Sequence, residues 1–319
     1  MAIITKRGEA LKIIDKFRER KVSMAIFCTA SHWNTEAILM AASRFACEHG
    51  LRTIPLAVAM TYNYRYMAQA GRVTHCGDLK TGFLSIMEHL RLLCYAPDSP
   101  YANVTVLPHL DHADPERDWW ALTEGLPYLA SVMFDAQKYT SKENRALTSD
   151  YIRVHGKDIL VEGIMEELSV EGKQRSVADD TYIDKANQYC TETGVDFLVA
   201  DLGTEQQSTG TGQCVYLGER ARELTACLGK SMLVLHGTSC LEPAQMSTIS
   251  TDGIIRVNMW TRIAREAGIY AANRQIERMK ESPDSFDTWE PCQYLRDTSE
   301  KAAGIMAETL EILGYDRFD

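Results

Sequence analysis

"VTVLPHLDHADPERDWWAL", residues 104–122, starts as a β-branched and apolar run, passes through two histidines and an aspartate, and turns at once into a helix start. Apolar run, polar end and helix, in that order, make the repeating unit of a parallel sheet whose strands are joined by crossover helices. Seven more runs share this character: "MAIFC" (24–28), "IPLAVAM" (54–60), "ASVMFD" (130–135), "DILVEGI" (158–164), "VDFLVADL" (195–202), "MLVLHG" (232–237) and "GIIRVN" (253–258). Helical segments are expected after each. In "NTEAILMAASRFACEHG" the residues Ile38, Ala41, Ala42 and Phe45 share one face, and Gly50 is a C-terminal stop. Eight strands and eight helices predict an α/β fold, a closed (β/α)8 TIM barrel.

No Pro/Gly/Ser-rich linker or fixed-period repeat divides the 319 residues, so one domain is expected over 1–319. "LKTGFLSIMEHLRLLCYA" predicts an extra helix between the second and third strands. "MKESPDSFDTWEPCQYL" reads as an excursion before a final helix, "SEKAAGIMAETLEILG", so 281–319 is expected to be a helical tail packed on the barrel or on a partner subunit.

Composition narrows the function classes. The longest apolar runs are too short to span a bilayer, and the first twenty residues mix Leu11, Ile14 and Phe17 with charges, unlike a signal peptide. Nine scattered cysteines without C-x-x-C pairing read as reduced thiols, and a cytoplasmic location is expected. A net charge of −10 with no basic-aromatic cluster argues against nucleic acid, while a small anion held by backbone N–H groups or a metal remains compatible.

A barrel gathers its polar groups at the C-terminal ends of its strands, where the connecting loops are free to vary. His109, Asp111 and His112 end the third run, Asp135 the fourth; Glu162 lies in the fifth, His236 ends the seventh and Asn258 the eighth. Imidazoles at His112 and His236 suit one divalent cation, with Asp111 beside it for proton transfer and Glu162 as a further carboxylate. A single histidine at a strand end is more often structural, and "DHADP" also reads as capping, with Asp114 as N-cap and Pro115 in the first turn. The four groups together favour the metal reading. Cys240 has no local base and is read as packing, Ser239 as a phosphate or backbone hydrogen-bonder. "GTEQQSTGTG" from Gly203 and "GTS" (Gly237, Thr238, Ser239) fall after strands 6 and 7, where barrels often bind phosphate.

"HLDHA", "SVMFDAQKYTSKENRALT", "TGVDFLVADLGT", "LVLHGTS" and "GIIRVNMWT" resemble, in the same order, blocks of the metal-dependent class II aldolases of fructose or tagatose bisphosphate. The resemblance implies an aldolase giving dihydroxyacetone phosphate and an aldehyde from a ketose phosphate, a zinc-like divalent cofactor, and a homodimer or homotetramer. It implies that Asp111 is the acid/base and that His112 and His236 are metal ligands. Gly203, Gly237, Ser239 and Thr261 fall where the family holds phosphate, and Asn258 where it meets substrate hydroxyls. Glu162 matches the first glutamate of a "VEAELG" block; Glu166, Glu167 or Glu171 stands where a second carboxylate is expected.

The family's third ligand histidine is replaced by Gln206, so Glu162, Glu205 or His32 is a candidate to complete the site. Trp260 replaces an aspartate, and Cys28 ends "IFC" where the family has "AFN". Two rival readings accompany the lyase: a metal-dependent sugar or sugar-acid epimerase or isomerase, and a non-catalytic sugar-phosphate-binding subunit. Schiff-base chemistry is disfavoured, since Lys138, Lys142 and Lys173 fall in loops or helices.

Overall fold

The structure is a computed structural model and describes residues 2–166, 168, 181–206 and 214–319. In chain order the elements are α1 (Arg7–Arg20), β1 (Met24–Cys28), α2 (His32–Glu48), β2 (Ile54–Thr61), α3 (Leu79–Tyr95), β3 (Val104–Ala113), α4 (Trp119–Thr123), β4 (Ser131–Phe134) and α5 (Ser141–His155). They continue as β5 (Leu160–Ile164), α6 (Tyr182–Thr193), β6 (Phe197–Val199), α7 (Gly218–Leu228), β7 (Leu233–Leu235), β8 (Ile254–Met259), α8 (Thr261–Glu281), α9 (Phe286–Trp289) and α10 (Pro291–Ile312). Each strand pairs in parallel with the next, and β8 pairs with β1, closing the barrel. The expected (β/α)8 architecture is the one observed.

Parallel strands covered by helices are buried on both faces, so they read as continuous apolar runs instead of alternating ones. All eight residues of β2 and all six of β8 are buried, consistent with that reading. Local chemistry fixes the helix starts: the Ser31 side chain accepts the Asn34 N–H to begin α2, and Thr140 and Glu143 form a reciprocal capping box on α5. The helix expected between β2 and β3 is α3, whose N-terminus is capped by Asp78.

Three local expectations are corrected. β7 is followed only by short 3-10 turns, Thr238–Cys240 and Pro243–Met246, because the polar, Ser/Thr-rich residues 238–253 offer no apolar helical face. Asp114 accepts the N–H groups of Glu116 (2.9 Å) and Arg117 (3.1 Å), but this caps a turn, and α4 starts later, at Trp119. The excursion before the final helix is mostly helical: α8 runs to Glu281 and α10 begins at Pro291. A proline at the first helical position forfeits no internal hydrogen bond, and the Glu290 side chain accepts the Cys292 N–H. α10 packs against α2 and α8, burying Ala302, Ala303, Ile305, Met306 and Leu310. Among the described residues no helix is long and apolar enough to cross a membrane.

Candidate active site at the strand ends

Regular alternation along β3 puts His109 and Asp111 on the barrel's inner face and would send His112 outward to the helices. The strand is not regular there. Its pairing with β4 runs Leu110 to Val132 and then Ala113 to Phe134, so one extra residue is accommodated by a bulge, and His112 takes a left-handed φ of 46°. The bulge turns His112 inward beside Asp111. His236, just past β7, faces them, and ligand atoms of Asp111, His112 and His236 all lie within 4.8 Å of one another.

Both imidazoles are held in one tautomer by carboxylates. His112 Nδ1 lies 2.8 Å from Asp135 Oδ2, so Nδ1–H donates and Nε2 keeps its lone pair. Asp135 also accepts from the Gln137 backbone and side chain. His236 Nε2 lies 3.3 Å from Glu162 Oε1, so here Nε2–H donates and Nδ1 keeps the lone pair, 3.4 Å from Asn258 Nδ2. Asn258 is itself oriented, because its Oδ1 accepts from the Cys28 thiol at 3.1 Å.

Asp111 is 4% exposed, and its Oδ1 is buried without a hydrogen-bond partner. Burial pushes its carboxyl up, but His112, His236 and His109 outweigh that and hold it below the usual carboxylate range. Burial pulls His112 down, and Asp111 and Asp135 more than reverse this. The Cys28 thiol, 3.6 Å from Asp111 Oδ2, is pushed well up by burial and by that carboxylate, which keeps it a neutral thiol. A carboxylate with an unpartnered oxygen and two imidazoles, with ligand atoms within 4.8 Å of one another, are a donor set that fits a divalent cation.

Deeper inside, the Arg256 guanidinium binds Glu162 Oε2 at 2.8 Å and Ser131 Oγ at 3.1 Å and lies over the Phe197 ring. Ser131 also meets His109 Nδ1 at 2.8 Å. Burial and Arg256 push the His109 imidazole well below its ordinary value, so it stays neutral and structural.

A cavity opens above these groups. Of the residues singled out from sequence, Asp111, His112, His236, Gln206 and Asn258 line it, with Gly237, Thr238, Ser239 and Thr261 on the β7–β8 side. Gly237 sits at φ 71°, and a Cβ there would meet the Glu205 backbone at 2.8–3.0 Å, so only glycine fits. Gly203 and Glu205 are not among the lining residues; the Gly203 N–H is bound by Asp201 and the Glu205 N–H faces the Cys240 sulfur. Cys240 is fully buried against this loop, as expected of a packing residue. His32 does not reach the cavity, because its Nε2 is 2.9 Å from Ser85 Oγ and its ring packs on His89. Glu166 also lies off the lining, beside Tyr182, and burial raises its carboxyl. Glu167, Glu171 and Lys173 lie outside the described residues. Lys138 is engaged by Asp114 and Glu116.

Sequence reasoning missed Tyr64. It stacks on His112 with ring centroids 4.3 Å apart and donates from its hydroxyl to Gln206 Oε1 at 3.2 Å. The only sequence signal is the aromatic run "TYNYRYM" after β2. Met67, Gln69 and Thr61 line the same wall.

Comparison with known proteins bears on the family and the fold. The family described as "Fructose-bisphosphate aldolase class-II" matches residues 9–317. A fructose-bisphosphate aldolase of Streptococcus pyogenes is 26% identical over 221 residues, 66% of this chain and 72% of that one. One from Streptococcus pneumoniae is 26% identical over 234 residues, 70% and 77% of the two chains. In fold, the chain is similar to the fructose-bisphosphate aldolase of Campylobacter jejuni, with TM-score 0.74, 15% identity and coverage of 98% and 95%. It is also similar to the YdjI aldolase of Escherichia coli, with TM-score 0.66, 19% identity and coverage of 96% and 96%.

Proposed function

This chain belongs to the class-II fructose-bisphosphate aldolase family and is an aldolase-like carbon-carbon lyase, and we propose that it cleaves or forms a C–C bond in a ketose phosphate, giving dihydroxyacetone phosphate and an aldehyde. The observation that carries the proposal is the β3 bulge, which delivers Asp111 and His112 to the same cavity, facing His236.

In the proposed site His112 and His236 would hold a divalent cation, zinc. The Gln206 side-chain oxygen stands where the family's third imidazole would be, and Glu162 lies behind His236. When bound, such an ion supplies positive charge beside the substrate's carbonyl and hydroxyl oxygens. The proton transfer belongs to Asp111. Its free Oδ1 accepts the proton of the hydroxyl next to the breaking bond as that oxygen becomes the aldehyde carbonyl, and returns it in the condensation direction. Phosphate is placed against Gly237, Thr238, Ser239 and Thr261, where the N-terminus of the long helix α8 adds favourable dipole charge. Gly203 contributes by shaping the neighbouring loop, and Glu166 or Glu167 is proposed as the second carboxylate. Trp260 narrows the cavity on the phosphate side, which favours a substrate differing from fructose 1,6-bisphosphate at that end.

The test is metal content per chain in the wild type and in His112→Ala and His236→Ala, together with triose phosphate release from a panel of ketose phosphates. The expected result is about one zinc per wild-type chain, loss of metal in both variants, and triose phosphate from at least one ketose phosphate. Bound metal with epimerised product and no cleavage would replace this reading with the epimerase; neither metal nor cleavage would leave a sugar-phosphate-binding subunit.

A further inference from the structure

Glu162 and Arg256 form an ion pair across the barrel interior, from β5 to β8, with side chains 0% and 1% exposed. Taking a carboxylate and a guanidinium out of water costs more than most pairs return, so such a pair is weak evidence of stability alone and invites a search for another role. Its geometry supplies one. Arg256 binds Oε2, and this leaves Oε1 directed at His236 Nε2. A carboxylate can only accept, so the nitrogen facing it carries the proton. The lone pair of His236 is thereby placed on Nδ1, the nitrogen 3.4 Å from Asn258 Nδ2, on a ring that has a ligand atom within 4.8 Å of those of Asp111 and His112.

We propose that Arg256 is a positioning residue: by anchoring one oxygen of Glu162 it aims the other at His236, selects the Nε2–H tautomer, and keeps Glu162 behind the histidine as its acceptor instead of in the ligand set. Ser131 Oγ and the Phe197 ring hold the guanidinium in the plane this requires. The inference rests on the proposed cation site for its consequence, but its cause, the tautomer, is a property of the metal-free chain.

The experiment measures the ring ¹⁵N spectrum of His236 in the full-length metal-free protein and zinc affinity by chelator competition, in wild type, Arg256→Lys and Arg256→Met. The wild type is expected to show His236 as the Nε2–H tautomer. Arg256→Met is expected to shift His236 toward a mixture of tautomers and to weaken zinc binding about 10- to 100-fold, the usual loss when a ligand's outer partner is removed. Arg256→Lys, which keeps a cation for Glu162, restores most of both. If Arg256→Met does not fold, Arg256→Gln, which keeps Glu162 and replaces the cation by a neutral amide, is read in its place, with losses expected in the same direction. An unchanged His236 spectrum and zinc affinity within about twofold of wild type, in whichever variant folds, overturn the proposal. A wild type that binds zinc but releases no triose phosphate would defeat the reaction reading and leave this one standing.

Discussion

His112 and His236 lie side by side at the mouth, with ring centroids 5.1 Å apart, yet the protein orients them by different means. At the mouth, Asp135 is 7% exposed, and the groups bonded to it besides His112 are the backbone and side-chain amides of Gln137. Inside the barrel, Glu162 is fully buried and is backed by a full cation, Arg256. The difference follows from solvation. A carboxylate at the rim retains some contact with water and needs only neutral donors, whereas one in the dry interior must be charge-compensated or protonated. Asp118 is a third case, a buried carboxylate held by the N–H groups of Asn63 and Asp114. There burial outweighs those hydrogen bonds and pushes the carboxyl up to about 6.

The largest effect is expected where both orienting systems converge. Asp111→Asn keeps the shape and removes the proton acceptor, so turnover of the cognate ketose phosphate should fall about 10²- to 10⁴-fold while phosphate-dependent substrate affinity changes little. A loss below tenfold in steady-state kinetics would move the acid/base role elsewhere.

Next come the two carboxylates, compared by denaturant melts. Glu162→Leu strands Arg256 in the interior and should cost about 3–5 kcal/mol. Asp135→Asn leaves only neutral groups unpaired and should cost about 1–2 kcal/mol. Equal losses would mean that depth in the barrel does not set the need for a cation.

An effect between those two concerns Asp118. Its folded pKa stands above the unfolded value of about 4, so the folded state holds a proton that the unfolded state has lost between about pH 4 and 6. The contribution of Asp118 to stability is therefore greatest below about pH 4 and falls by about 2–3 kcal/mol as pH rises through about 6. Melts of Asp118→Asn should lose this component, and an unchanged pH profile would show that its two N–H donors suffice to keep the carboxylate ionised.

The barrel was legible because burial on both faces writes itself as unbroken apolar runs, and all eight runs fall on observed strands. The ends were less so: "VDFLVADL" yields only Phe197–Val199 as strand, and Ala200–Leu202 lie outside the ladder. Asp111, His112 and His236 could be picked out because strand ends and motif order coincide at them. Tyr64 could not, since it comes from an aperiodic loop. Arg256 is one charge in an apolar strand, and its partner lies 94 residues away, a pairing that only barrel closure creates. The missing helix after β7 went unseen because counting repeats implied it.

The extra residue in β3 has a consequence for how the sequence can vary. Deleting one residue between Leu110 and Ala113 would cost the fold little, as the ladder to β4 would simply become even. The residues there are Asp111 and His112, so the deletion would take away one of the two reactive side chains and leave the other in the single inward position, and a change of length by one codon would end the chemistry while the barrel survived it.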